Sequence, residues 1–91
     1  EIPKGYVGLL FPRSSVIKKG LTMGNSVGVI DSDFRSSVSA VFYVNENDEI
    51  YKIGERVCQL VLVPIPYFEL VEVDELTETE RGTGGFGSTG K

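Results

Sequence analysis

With no histidine and a single cysteine, Cys58, any acid-base chemistry in this chain falls to carboxylates. A catalytic triad, a histidine base, a histidine-rich zinc site, an intrachain disulfide and a cysteine-cluster metal site are all excluded within it. Asp31 and Asp33 stand two apart in Asp31-Ser32-Asp33-Phe34-Arg35. One of them could act as a general base toward water; an acidic β-turn is the alternative. Calcium by the EF-hand route fails, because a loop starting at Asp31 needs Gly at its sixth position and Glu at its twelfth, where the chain has Ser36 and Phe42.

Two other short stretches carry groups suited to anions. Pro12-Arg13-Ser14-Ser15 combines a fixed φ, a forked cation and two hydroxyls directly after an apolar run. It reads as a phosphate corner or as an ordinary polar turn. In Gly54-Glu55-Arg56-Val57-Cys58-Gln59-Leu60, a turn feeds an apolar run in which Gln59 is the polar exception. Its amide either bonds neighbouring backbone or is kept for a ligand. Cys58, inside the same run, reads as a buried, inert thiol.

The tail, residues 81–91, differs in kind, with five glycines and Phe86 as its one large apolar side chain. It superficially matches two nucleotide fingerprints, Gly82-x-Gly84-x-x-Gly87 and Gly85-x-x-x-x-Gly90-Lys91. Both matches are false, since each motif must be followed by a helix whose N-terminus meets the phosphate. Composition alone leaves two readings, a solvated terminus or an arm. The arm would offer backbone N–H groups, the Arg81 guanidinium and the hydroxyls of Thr83, Ser88 and Thr89 to phosphates, and one ring to a base.

The elements that must position these groups read as strands. Residues 6–11 form a short apolar run ended by Pro12, and residues 27–30 another, ended by the acidic turn. Residues 38–44 alternate, with Val38, Ala40, Phe42 and Val44 on one face. Asn45-Glu46-Asn47-Asp48 should turn the chain, so that residues 49–53 return as a hairpin partner. Residues 57–63 make the most apolar strand, and Pro64 and Pro66 forbid a helix after it. No long segment reads as helical, and residues 73–79 lack an apolar stripe and should be extended or irregular. Closely spaced strands with turn signals between them predict an all-β sandwich or barrel.

Ninety-one residues with 41% hydrophobic and 24% charged residues suit one small soluble domain with one modest core. No apolar stretch approaches the roughly 18 residues of a membrane span, and the net charge of −4 argues against broad nucleic-acid binding. Glu1-Ile2-Pro3-Lys4 shows no targeting segment, so a cytoplasmic protein is expected, or a nuclear or organellar one if a leader has been removed. An anionic ligand would need local cations. Six acids, Glu69, Glu72, Asp74, Glu75, Glu78 and Glu80, fall in one stretch without Lys or Arg, while Arg13, Arg35, Arg56 and Arg81 lie elsewhere.

In this order, the four elements resemble motifs two to five of the trimeric dUTP pyrophosphatases. Pro12-Arg13-Ser14-Ser15 is similar to the second and Gly28-Val29-Ile30-Asp31-Ser32-Asp33-Phe34-Arg35 to the third. Residues 54–60 resemble the fourth and residues 81–90, Arg-Gly-Thr-Gly-Gly-Phe-Gly-Ser-Thr-Gly, the fifth. The resemblance covers essentially the whole chain. It implies a distorted jelly-roll β-barrel over residues 1–80, corresponding to the C-terminal two thirds of the family fold, with residues 81–91 as a mobile arm that closes over a nucleotide. It also implies a homotrimer whose active sites are shared: the second and fourth motifs from one subunit, the third from a neighbour, the arm from the third.

The implied reaction is hydrolysis of dUTP to dUMP and pyrophosphate by water attack on the α-phosphorus, with Asp31 as general base. Mg2+ would be chelated by the phosphates rather than ligated directly by protein. Arg13, Ser14 and Ser15 would form the phosphate corner, with Ser14 near the α and β phosphates. Gln59 would meet the phosphate chain, Arg81 and Ser88 the γ end, and Phe86 would stack on uracil, with Gly87 in the same arm. Backbone at Val29 and Ile30, with Asn25 nearby, would read the uracil edge, and Phe34 would pack on the deoxyribose and leave no room for a 2′ hydroxyl.

The chain departs from the family pattern in having Phe34 for a usual Tyr, Ser36 for a usual Gly and Ser15 where Gly is frequent. The first motif, an Ala-x-Asp-Leu-like segment, has no counterpart. The barrel is therefore expected to be incomplete at its N-terminus, with apolar edges exposed and weak activity for the 91-residue chain alone. The alternatives are a dCTP deaminase-like enzyme of the same fold, and a trimer that binds nucleotide without catalysis.

Overall fold

Tyr-Val-Gly-Leu-Leu-Phe-Pro is a strand because its apolar side chains alternate faces and its closing proline donates no hydrogen bond. A computed structural model, describing residues 1–45, 50–88 and 90, places it as β1, Tyr6–Pro12. Then follow α1, Ser15–Lys19, and four further strands: β2, Leu21–Met23; β3, Gly28–Ile30; β4, Phe42–Val44; and β5, Cys58–Pro64. β1 is the centre of an antiparallel sheet of order β3-β1-β5, and β2 and β4 form a second, two-stranded antiparallel sheet.

Two glycines set how closely the layers approach. In the β1/β3 ladder Leu10 stands opposite Gly28. A Cβ at Gly28 would lie 3.2 Å from Leu10 Cβ and 3.7 Å from Met23 Cε, so the missing side chain lets Met23 of the second sheet reach the first. At Gly8 a Cβ would come 2.9 Å from Ile2 Cδ1 and 3.2 Å from Leu60 Cδ1; both side chains fold over the strand there. Ile2, Leu10, Leu21 and Met23 are the buried hydrophobic side chains among the described residues, with Leu10 and Met23 meeting between the sheets at Gly28 and Ile2 lying over Gly8.

The all-β expectation holds, with one short helix added. α1 has too few residues for a periodic signal. It ends at Gly20, whose φ of 65° lets its N–H reach the Val16 and Ile17 carbonyls, and Lys18 and Lys19 sit favourably in its last turn. Two expectations need correction. The alternating segment 38–44 is a strand only over Phe42–Val44, because residues 38–40 turn to line hollows beside Leu10 rather than pair. The hairpin partner expected at 49–53 is not found in residues 50–53, and the intervening 46–49 lie outside the described residues. β4 pairs instead with β2, Leu21 opposite Val44 and Met23 opposite Phe42.

After β5 the described residues hold no strand or helix, as expected for 73–79. Tyr67, Leu70, Leu76 and Phe86 are almost wholly exposed. The Cα radius of gyration is 19.1 Å, against about 12 Å for a compact chain of this length. The two sheets do not close into a barrel among the described residues, and no helix among them is long and apolar enough to cross a membrane.

Candidate active site

Asp31 follows directly on β3, at the mouth of a cleft of about 340 Å³ that it shares with Asn25, Val29, Ile30 and Phe34. That is the lower end of the range for small-molecule sites. The turn after β3 is held from within. Asp31 Oδ1 accepts the Asp33 N–H at 3.0 Å, and the Asp31 carbonyl accepts the Phe34 N–H at 3.4 Å. The Arg35 guanidinium donates to the carbonyls of Ser32 and Phe34 and pairs with Glu1 at 3.5 Å. One carboxylate oxygen of Asp31 is thus fixed by backbone, while Oδ2 has no hydrogen bond among the described residues. That is a usable posture for a base. Ser37, Val38 and Ser39, which the sequence did not single out for a site, line the opposite wall.

A second group of candidates gathers at the other end of β1. The ladder sets Phe11 opposite Gln59 and Pro12 opposite Cys58, and the Arg13 N–H continues it to the Val57 carbonyl at 3.3 Å. Ser14 is exposed at this corner, and the Val16 and Ile17 N–H groups turn back to the carbonyls of Arg13 and Ser14 to open α1. Gln59 is exposed and its amide has no partner among the described residues, so the backbone-bonded alternative is not the one observed. The Ser15 hydroxyl lies 2.8 Å from that of Tyr51. Burial pushes the Cys58 thiol up from its ordinary value; it is half-buried rather than enclosed.

The turn that delivers Gln59 is braced by Glu55. Its Oε1 accepts the Lys52 N–H at 2.7 Å, and its carboxylate pairs with Lys19 at 3.4 Å. The Lys52 backbone bond, first, and Lys19, after it, hold the Glu55 carboxyl below its ordinary value. The pairings of Tyr51 with Ser15 and of Lys19 with Glu55 could not be read in the sequence, because 36 residues separate each bonded pair and no local spacing marks them.

The arm forms a third group. Gly82 donates to Thr79 Oγ1 at 3.1 Å, Gly84 to the Arg81 carbonyl at 3.2 Å and Ser88 to the Gly85 carbonyl at 3.1 Å. These turns bring Arg81 and Ser88 to one shallow hollow with Thr79 and Glu80. Gly84 gives the Ser88 side chain room there, since a Cβ would sit 2.5 Å from Ser88 Oγ and turn that hydroxyl aside. Phe86 and Gly87 follow at positive φ, 45° and 89°, with the Phe86 ring fully exposed. Thr89, counted with the arm's hydroxyls, lies outside the described residues.

One chain does not unite the first two groups. Ile30 stands opposite Gly8, so Asp31 leaves β1 at its start, whereas Arg13 and Ser14 leave it at its end. At about 3.3 Å per residue, Asp31 and Ser14 are roughly 20 Å apart. Among the described residues no three acidic or thiol groups meet as a protein-built metal cage would require.

A family model described as dUTPase matches residues 1–90. The deoxyuridine 5'-triphosphate nucleotidohydrolase of Nautilia profundicola is 46% identical over 94 residues, covering 100% of this chain and 66% of its own length. That of Escherichia phage T5 is 47% identical over 93 residues, covering 99% and 62%. Among solved structures, the dUTPase of Staphylococcus bacteriophage 80alpha with dUpNHpp superposes with a TM-score of 0.73 at 32% identity, over 100% of this chain and 70% of that one. Its likeness accords with the all-β jelly-roll type. The chain thus spans about two thirds or less of the curated relatives it matches.

Proposed function

Because this chain belongs to the dUTPase family, we propose that it hydrolyses dUTP to dUMP and pyrophosphate. The observation that carries the reading is the Asp31 turn: a carboxylate with one oxygen tied to backbone and the other open, in a cleft with Asn25, Val29, Ile30 and Phe34. A structural relative bound to dUpNHpp supports the substrate. In the step proposed, Asp31 takes a proton from water as its oxygen bonds to the α-phosphorus. The bond from that phosphorus to the α,β-bridging oxygen breaks, and pyrophosphate leaves. A positioned base supplies about 10² to 10⁴ in rate, and charge neutralisation and alignment supply the rest.

Ser14 with Arg13, and Gln59 beside them in the ladder, would donate to the phosphate chain, and Arg81 and Ser88 to its γ end. Phe86 would lie on uracil, whose edge the backbone of Val29 and Ile30 reads, while Phe34 packs on the sugar. A magnesium ion would be held by the phosphate oxygens, where it would neutralise charge. The groups come together in a homotrimer. Support for it is the roughly 20 Å between Asp31 and Ser14, because a base must lie within one water of the phosphorus that Ser14 serves. The test is pyrophosphate release from dUTP by the wild type and by Asp31→Asn: loss of about 10²-fold or more is expected, and an unchanged rate, or ammonia release from dCTP, would replace the reading.

A further inference from the structure

Tyr51 lies outside every segment expected to meet a ligand, yet two of those segments are joined through it. Its hydroxyl stands 2.8 Å from Ser15 Oγ. Its ring leans on Phe42, centroids 5.9 Å apart, and Lys19 Nζ sits 5.4 Å from its centroid. Lys19 pairs in turn with Glu55, which accepts the Lys52 N–H. The contacts close a ring. Ser15 and Lys19 are the two ends of α1, and Tyr51 and Glu55 flank the turn before β5. One side of the ring carries Arg13 and Ser14; the other runs into Val57, bonded to the Arg13 N–H, and on to Gln59.

Phenylalanine would supply the ring contacts equally well, so packing alone does not account for the hydroxyl. Its one hydrogen bond among the described residues goes to the side chain next to Ser14. Building on the reading of the chain as a dUTP hydrolase, we infer that Tyr51 is a positioning residue for the phosphate chain. Its hydroxyl fixes Ser15 and with it the first turn of α1, so that the Ser14 hydroxyl and the Gln59 amide meet the same phosphates. It does so without touching substrate itself.

The test is Tyr51→Phe in the assembled protein, which keeps the ring contacts and removes only the hydroxyl. A hydrogen bond of this kind contributes enough that kcat/KM for dUTP should fall about threefold to tenfold, chiefly through KM. Inhibition by inorganic pyrophosphate should weaken by the same factor, whereas deoxyuridine, which carries no phosphates, should inhibit as before. Ser15→Ala should give a similar loss and the double variant no more than either, since both remove one bond. A lowered thermal midpoint with unchanged pyrophosphate inhibition, or additive losses in the double variant, overturns the inference. If the wild type turns over dUTP and Tyr51→Phe matches it in KM and in pyrophosphate inhibition, this inference alone fails; if the wild type releases no pyrophosphate from dUTP, the activity reading fails and takes this one with it.

Discussion

Mixing two inactive forms of the chain should restore activity, and the amount restored can be worked out from the β1 ladder. Asp31 and Ser14 leave β1 at opposite ends, so a site that uses both draws them from different subunits. Asp31→Asn removes the proposed base, at an expected cost of about 10² to 10⁴ in rate. Ser14→Ala removes one hydrogen bond to a charged group, about 1.5 to 3 kcal/mol, or roughly 10- to 150-fold. In the proposed trimer each site would take Ser14 from one subunit and Asp31 from its neighbour. It is intact only when the first is an Asp31→Asn chain and the second a Ser14→Ala chain. With the two forms co-expressed in equal amounts, that order occurs at roughly one interface in four, so the mixture should recover about a quarter of the wild-type rate. Pyrophosphate release per subunit measures it. A mixture no faster than the mean of its parents would mean that one chain supplies both groups, and the separation argued from the ladder would be wrong.

Two further outcomes follow from the packing. Gly28→Ala puts a Cβ 3.2 Å from Leu10 Cβ, where the central strand must yield; overpacking of this kind costs about 1 to 3 kcal/mol and should lower the urea midpoint. Cys58 has its thiol pKa raised by burial in the folded chain, so its thiolate, and with it stability gained from the neutral form, follow a fixed sign: the folded state binds the proton more tightly and loses that advantage only as pH rises through the raised value. Alkylation by iodoacetamide near pH 8 should therefore be slower in the native protein than in guanidinium, and equal rates would contradict the burial.

The sequence made β1 and β5 legible because each is seven residues of apolar pattern stopped by proline. It could not reveal β2 or α1, since three and five residues are too short for either period to show. The alternation over 38–44 was genuine, with Ala40, Phe42 and Val44 lining one hollow, but whether such a run pairs is decided by a partner, and β2 offers only three residues. For the site, the residue types and order of the four motifs were readable in the chain. Their separation was expected only through the family resemblance, because in the residues themselves nothing local marks it: it depends on the pairing of Gly8 with Ile30 and of Phe11 with Gln59, contacts between distant segments. The Ser15–Tyr51 bond is of the same kind.

Two oddities of the single chain have one resolution. Its core is thin: four buried hydrophobic side chains among the described residues, with Tyr67, Leu70, Leu76 and Phe86 in the open. Its charge is wrong for a triphosphate ligand, −4 overall, with six acids clustered over residues 69–80 and the cations Arg13, Arg56 and Arg81 dispersed. The proposed assembly would answer both. Apolar surface that one copy cannot cover can be covered by the next, at about 25 cal/mol per Å² removed from water. The same contact can set Arg81 of one copy, Ser14 and Gln59 of a second and Asp31 of a third around one nucleotide, while each acidic stretch stays outside. In the proposed trimer the force that brings the copies together would be hydrophobic and the specificity of the site electrostatic, so raised salt should weaken dUTP binding more than it weakens the assembly.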